Sequence, residues 1–254
     1  MDEIVAGLDI YIVVLTLAAV MFVVWEIGKR MGYRLRSRGH TQPSKVADAS
    51  MALLGLLIAF SFGMSIERHD RRRLAAVADS NAIGDFYTCA ALLNEPTRSS
   101  LQAVIRQYAE LRLEVARGRP GDADIQSALA RSDLMHSQMT HLVAQALSNG
   151  TPIAVSLTNT LNAVISNQAS RLAAFRDRLP SSIVVLLFTG AIASMLLIGR
   201  EQGSADTHDI AGTICFILLV SLAVYVTLDL NRPEGGLIRV SQEPIERLLS
   251  SMSK

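Results

Sequence analysis

The sequence is poor in several residue types that would identify a familiar class of soluble protein. Its 254 residues include two cysteines, and aromatic residues make up 5% of the chain. Cys89 and Cys215 give neither a disulfide framework nor a metal cage, and both are predicted to be packing residues. The formal net charge is +1, which gives no reason to expect a nucleic-acid partner.

The motifs of the common enzyme classes are also missing. The chain has no phosphate-binding glycine loop, no zinc-protease histidine pair and no nucleophile elbow. His136 and His141 are five residues apart on a predicted helix, whereas a metal-binding pair on a helix is usually spaced by three or four. We therefore expect no enzymatic activity, no cofactor and no bound metal.

Long apolar runs are what the sequence does contain. Half of the residues are hydrophobic, and they are concentrated in runs that can cross a bilayer, which takes roughly 17–25 residues. The sequence therefore predicts an all-α integral membrane protein with four transmembrane helices arranged as two hairpins. These helices are expected at about 9–28, 46–67, 181–199 and 209–230.

A stretch of helical periodicity separates the two hairpins. The second run has no stop signal at its far end, and its pattern continues to about Leu93, which predicts one long helix. Three further helices follow, and no strand-like alternation is sustained. The predicted domains are hairpin 1 at 1–67, a helical extramembrane domain at 68–180 continuous with transmembrane helix 2, hairpin 2 at 181–230, and a polar tail at 231–254.

Turn residues mark the ends of the middle helices. Gly118 to Gly121 and Asn149-Gly150 interrupt the helical pattern. Asp122 is predicted to cap the helix that reaches about Ser148. Thr151 is predicted to be the N-cap of the next helix, with Pro152 at its first position.

The distribution of Lys and Arg predicts an orientation. The loop at 29–45 holds six basic residues and no acid, and short basic loops face the cytoplasm. The number of basic residues in this loop therefore predicts that the helical domain lies outside the cytoplasm. Four arginines near the membrane end of that domain favour the opposite orientation, with the domain in the cytoplasm: Arg68, Arg71, Arg72 and Arg73.

The second run also carries a constellation that suits a pore. Ala52, Leu56 and Phe60 are spaced i, i+4, i+8 and share one helix face, which could form a narrow apolar collar in an oligomer. The alternative is that they pack against neighbouring helices. An ionisable cluster follows, from Glu67 to Asp70. Such a cluster is either a solvated interface or part of an ion pathway.

Two stretches resemble the signatures of a family of bacterial membrane proteins of unknown function, labelled bestrophin-like. They are GLLIAFSFGMSIERHDRRRLAAVADSNAIGDFY at 55–87 and LDLNRPEGGLIRVSQEPIERLL at 228–249. The membrane pattern between them also fits, so the resemblance covers nearly the whole chain. It extends distantly to bestrophins, which are pentameric anion channels with four membrane helices per subunit.

The resemblance implies a role for the second membrane helix. Bestrophins have a small residue and Phe there, with Arg nine positions after the small residue, and Ala59, Phe60 and Arg68 match that spacing. The bestrophin neck would then fall on Ala52, Leu56 and Phe60. This chain departs from bestrophins at His69 and Asp70, where they have aromatic residues. Bestrophins also have a cytoplasmic helical domain, opposite to the charge count, and their calcium-binding cluster has no counterpart.

Two functions remain open at this point. The first is a homo-oligomeric ion channel in the bacterial inner (plasma) membrane, a pentamer if it follows bestrophins, with an anion as the expected permeant ion. Its pore mouth would carry Glu67, Arg68, Arg71 and Arg72. The second is a non-conducting membrane protein whose helical domain senses a signal or recruits a partner. The expected partners are the lipid bilayer, inorganic ions and further copies of the chain.

Overall fold

The computed structural model of the chain describes residues 10–37, 45–118, 122–205, 209–232 and 237–253. This part of the chain contains eight helices and no strand, so the all-α prediction is confirmed. The helices are α1 Ile10–Arg36, α2 Lys45–Ala90, α3 Thr97–Arg117, α4 Asp122–Ser148, α5 Ala154–Arg176, α6 Ser181–Ala205, α7 Ile210–Asn231 and α8 Glu243–Met252. The first part of the predicted basic loop, residues 29–36, is helical and belongs to α1. Residues 38–44 of that loop, the side chain of Asp122 and residues 119–121 of the predicted glycine break lie outside the described residues.

The helices divide into two compact units. The first contains α1, α2 up to Arg68, α6 and α7, together with Leu237 and Ile238. The second contains α2 from His69 onward, α3, α4, α5 and α8. Helix α2, with 46 residues, runs through both units without interruption, as its uninterrupted periodicity predicts.

Four helices are long and apolar enough to cross a membrane: α1, α2, α7, and α6 as the apolar part of the stretch Ala154–Ala205. Their outer surfaces carry large exposed apolar side chains, such as Leu15 at 69% and Leu218 at 63% exposure. In water such a surface would be unfavourable, but against lipid tails it carries no penalty. The chain is therefore a membrane protein.

Helices α1 and α6 approach each other closely because glycines line their contact. A Cβ added to Gly28 would collide with the backbone of Leu196, and one added to Gly199 would collide with the backbone of Trp25. Gly32 and Gly203 continue the contact four residues further along each helix, so the two helices run parallel. Close backbone packing through glycines is a common way for membrane helices to associate.

Each unit has its own apolar core. In the first unit the core is formed by buried residues from all four helices, among them Met21, Leu54, Met195 and Val224. In the second unit it includes Ile83, Phe86, Met139 and Leu157, together with Ile245 and Met252 of α8. Helix α8, within the predicted polar tail, is amphipathic, and its apolar side is buried in the second unit.

The predicted cap of α5 is wrong. The helix begins at Ala154, and Ile153 is its N-cap residue, without a side-chain cap hydrogen bond. The reason lies in the preceding turn, where Gly150 has a positive φ of 75°. There the Thr151 N–H donates to the Ala146 carbonyl at 3.4 Å. Thr151 therefore closes α4 instead of opening α5.

Candidate functional site

The first part of α2 has one covered and one exposed face within the first unit. Leu54 is 1% exposed and belongs to the apolar core. Ala52 lies on the exposed face, and Leu56 and Phe60 lie there with 51% and 65% exposure. The three residues predicted for the collar therefore share a face that no other described part of the chain covers.

Small residues lie on the same exposed face as the predicted collar. Ala59 is exposed, and a Cβ added to Gly55 or Gly63 would meet no atom within 4 Å. Glycine inside a helix weakens the helix relative to alanine. Packing against the described residues therefore does not account for these two glycines.

The residues predicted for the pore mouth lie in different environments. Glu67 and Arg71 are exposed, and Arg68 is half-buried, with its Nη1 3.4 Å from the Met64 carbonyl oxygen. Arg72 is only 1% exposed. Its Nε donates to the Ala174 carbonyl at 3.2 Å and its Nη2 to the Asp177 carbonyl at 2.7 Å.

The structure therefore places Arg72 in the interior of the second unit and not on the exposed face with Arg71. The physical reason is helical geometry, since consecutive residues are about 100° apart around a helix axis. Adjacent arginines cannot both point to the same side. The buried guanidinium of Arg72 instead binds carbonyl oxygens at the carboxyl end of α5, where the helix dipole favours a cation.

A buried ionic junction lies deeper in the second unit, and the sequence reading missed it. The Asp79 side chain is fully buried. Its Oδ2 accepts hydrogen bonds from Arg112 Nη2 at 2.9 Å and from Arg171 Nη1 at 2.8 Å. The two arginines come from α3 and α5, so one carboxylate of α2 joins three helices. The spacing of seven places Asp79 on the same side of α2 as Arg72, but nothing in the sequence shows that this side is buried.

Two titratable side chains extend this junction. The Tyr108 hydroxyl donates to Gln168 Oε1 at 2.9 Å, and its ring lies 5.2 Å from the His136 ring, between centroids. Burial raises the pKa of Tyr108. Burial also lowers the pKa of His136, whose Nε2 is buried without a hydrogen-bond partner among the described residues. Both shifts follow from the cost of placing a charge away from water.

Two polar residues near the end of α7, Asp229 and Asn231, have structural roles in the first unit. Asp229, which is 2% exposed, accepts hydrogen bonds from the backbone N–H groups of Leu237 and Ile238, each at 3.0 Å. Asn231 Oδ1 accepts from the Leu179 N–H at 2.7 Å. These side chains attach the residues after α7 and before α6 to the end of α7.

Comparisons with known proteins agree with this architecture. A family model described as the bestrophin-like domain matches residues 10–245. The fold is similar to the crystal structure of a bacterial bestrophin homologue from Klebsiella pneumoniae that carries a tryptophan-to-alanine mutation. The TM-score is 0.75 at 11% sequence identity, over 97% of this chain and 99% of that chain. No curated protein matches the sequence significantly.

Proposed function

The chain belongs to the bestrophin-like family, and from that premise we propose that it forms a homo-oligomeric ion channel in the bacterial inner membrane. Helix α2 lines the pore, and Ala52, Leu56 and Phe60 form an apolar constriction. The observation that supports this proposal is the exposed face of α2, on which the collar residues lie beside Gly55 and Gly63. A hydrophobic constriction of this kind gates a pore by excluding water.

The proposed pore mouth comprises Glu67, Arg68 and Arg71. Glu67 and Arg71 are exposed on α2 just beyond the apolar stretch. Arg72 is not included because its guanidinium binds backbone carbonyls inside the second unit. Among the three residues proposed for the mouth, two are basic and one is acidic, and we propose an anion as the permeant ion.

Ion flux through purified protein in liposomes tests the proposal. Truncating the constriction with Phe60→Ala should increase the flux. Phe62→Ala is the matched control, since Phe62 is also exposed, at 37%, but lies about 200° away around the same helix and should have no effect. Absence of flux from both the wild type and Phe60→Ala would contradict the channel.

The assembly can be tested separately by measuring the mass of the protein in detergent. A pore lined by one helix per subunit requires several copies around an axis, and a pentamer is expected if the assembly follows bestrophins. A strictly monomeric protein could not surround a pore. That result would contradict the assembly whatever the flux assay gives.

We propose that the basic loop at 29–45 faces the cytoplasm and that the helical domain lies outside, because of the loop's Lys and Arg content. Bestrophins have the opposite orientation. A cysteine introduced at Ser37, in a background with Cys89 and Cys215 replaced by serine, tests the orientation in intact cells. Protection from an impermeant thiol reagent supports our assignment, and labelling from outside overturns it.

A second candidate function is supported by a groove within the second unit. It has a volume of about 530 Å³ and is lined on one side by Ser80, Asn81 and Asp85 of α2 and on the other by Pro244 and Arg247 of α8. Such a groove suits a non-conducting membrane protein that senses a ligand or recruits a partner. Flux through the wild type that Phe60→Ala alters would reject this candidate.

A further inference from the structure

Helix α1 is longer than the hydrocarbon core of a bilayer. Its 27 residues span about 40 Å at 1.5 Å per residue, whereas the core is about 30 Å thick. The apolar stretch ends at Gly28, and the remaining residues include Lys29, Arg30, Arg34 and Arg36. The last two turns of α1 therefore lie at the level of the lipid headgroups.

Polar contacts around Trp25 mark the same boundary. The indole Nε1 donates to Gln202 Oε1 at 2.9 Å, and Gln202 Nε2 donates to Thr213 Oγ1 at 3.1 Å. The Lys29 ammonium lies 5.1 Å from the centre of the Trp25 ring. Tryptophan and lysine in this arrangement are typical of the membrane–water interface.

One face of α1 combines apolar and basic side chains across this boundary. Val23, Ile27, Arg30 and Arg34 follow the spacing i, i+4, i+7, i+11, so they share one side of the helix. Val23 and Ile27 are 56% and 48% exposed, and both arginines are exposed. Gly28 lies elsewhere around the helix, against α6. No described part of the chain covers the arginine face.

The arginine face carries a net positive charge, because Arg30 and Arg34 lie near one acidic side chain, Glu26. Arg30 is paired with Glu26 at 3.1 Å, but the two side chains are 75% and 40% exposed. An exposed pair of this kind contributes little, so Glu26 competes weakly with another anion.

We propose that Arg30 and Arg34 bind the headgroup phosphate of an anionic phospholipid whose acyl chain lies along Val23 and Ile27. Basic residues next to a transmembrane helix attract anionic lipids, and guanidinium groups bind phosphate in a directed way. The exposed apolar residues directly below the arginines distinguish a lipid from a free phosphate ion. The site depends on the membrane location of α1 and not on ion conduction.

A tryptophan placed on the arginine face allows a direct test. The only native tryptophan, Trp25, is 3% exposed and bonds Gln202 of α6, so it does not report on that face. Full-length protein carrying Val23→Trp would be reconstituted into vesicles containing either brominated phosphatidylglycerol or brominated phosphatidylcholine, and fluorescence quenching beyond that of Trp25 would be measured. The reporter protein with both native arginines, termed the wild type in this assay, should prefer the anionic lipid. Each arginine should contribute about five-fold to that preference, since a basic residue near an anionic surface contributes about 1 kcal/mol.

The double variant Arg30→Gln/Arg34→Gln should lose the preference while its quenching by brominated phosphatidylcholine and its emission maximum stay at wild-type values. Arg98→Gln/Arg131→Gln is the matched control, because these two arginines form exposed pairs with Glu95 and Glu114 in the second unit. It should keep the full preference. Equal loss in both double variants would overturn the site.

Two further results would also overturn it. If inorganic phosphate in the buffer abolishes the preference of the wild type, the arginines bind a free anion instead of a lipid. If the wild type is quenched equally by both brominated lipids, the face is covered by something other than anionic lipid, such as a neighbouring subunit. Persistence of the preference in the presence of inorganic phosphate supports the lipid.

Discussion

The covered and exposed faces of α2 contain similar apolar residues and differ in what surrounds them. On the covered face, Leu54 enters the core of the first unit, and Asp79 is bound by arginines of two other helices in the second. On the exposed face, Leu56 and Phe60 lie beside Gly55 with no described neighbour. The covered face is completed by its own chain, whereas the exposed face requires lipid or further subunits.

The largest effect is expected from the buried ionic junction on the covered face. Asp79→Asn leaves the Arg112 and Arg171 guanidiniums buried without a counter-charge, which should lower the free energy of unfolding by about 3–5 kcal/mol. The thermal unfolding midpoint in detergent measures this loss. Glu95→Gln, which removes the exposed pair with Arg98, should leave the midpoint almost unchanged. Similar shifts for both variants would contradict the junction's role.

A matched pair of leucines sharpens the comparison in the first unit. Leu54→Ala creates a cavity in the core and should destabilise the protein by about 2–4 kcal/mol. Leu56→Ala, two residues further along the same helix, should cost less than about 1 kcal/mol and should instead increase ion flux. Measuring stability and flux for both variants distinguishes a core side chain from a side chain of the constriction. A large loss of stability with Leu56→Ala would show that this side chain is a packing residue.

Replacing a glycine with alanine should change stability in opposite directions at a helix–helix contact and on the exposed face of α2. At Gly199 the added methyl group collides with the Trp25 carbonyl, so Gly199→Ala should destabilise the protein by about 1–3 kcal/mol. At Gly63 the methyl group meets no atom, so Gly63→Ala should stabilise the helix by about 0.5–1 kcal/mol. Unfolding midpoints test the signs. Destabilisation by Gly63→Ala together with dissociation of the oligomer would assign Gly63 to a subunit contact.

The smallest expected effect concerns pH. Burial lowers the pKa of His136 below its ordinary value of 6.5. The folded state therefore binds this proton less readily than the unfolded state. His136 contributes its stability fully above pH 6.5 and loses it as the pH falls below that value. His136→Gln should reduce the loss of stability between about pH 7.5 and about pH 5.5. His141→Gln, at an exposed position, should leave it unchanged.

Much of the fold could be predicted from the sequence because apolar periodicity is a local signal. The four membrane-length helices, the long helix α2 and the ends of α4 all follow from runs and interruptions within the chain. That Ala52, Leu56 and Phe60 share one face of α2 could also be derived from helical spacing. Whether this face surrounds a pore is a separate matter, since spacing describes a face and not its occupant.

The rest of the site depends on contacts between distant parts of the chain. Asp79 binds Arg112, 33 residues away, and Arg171, 92 residues away. No local pattern distinguishes this aspartate from a solvated one. Arg72 was expected at an exposed mouth for the same reason, because its carbonyl partners near Asp177 are more than a hundred residues away.

The glycine contact between α1 and α6 has a mechanical consequence. Two helices that touch backbone to backbone have no layer of side chains between them that could repack. They therefore cannot slide past each other, and α1 and α6 should move as one rigid pair. Helix α2 is different, because it meets Gly190 of α6 through the flexible ends of Leu54 and Leu57. Within the first unit, a shear motion is therefore expected between α2 and the α1–α6 pair.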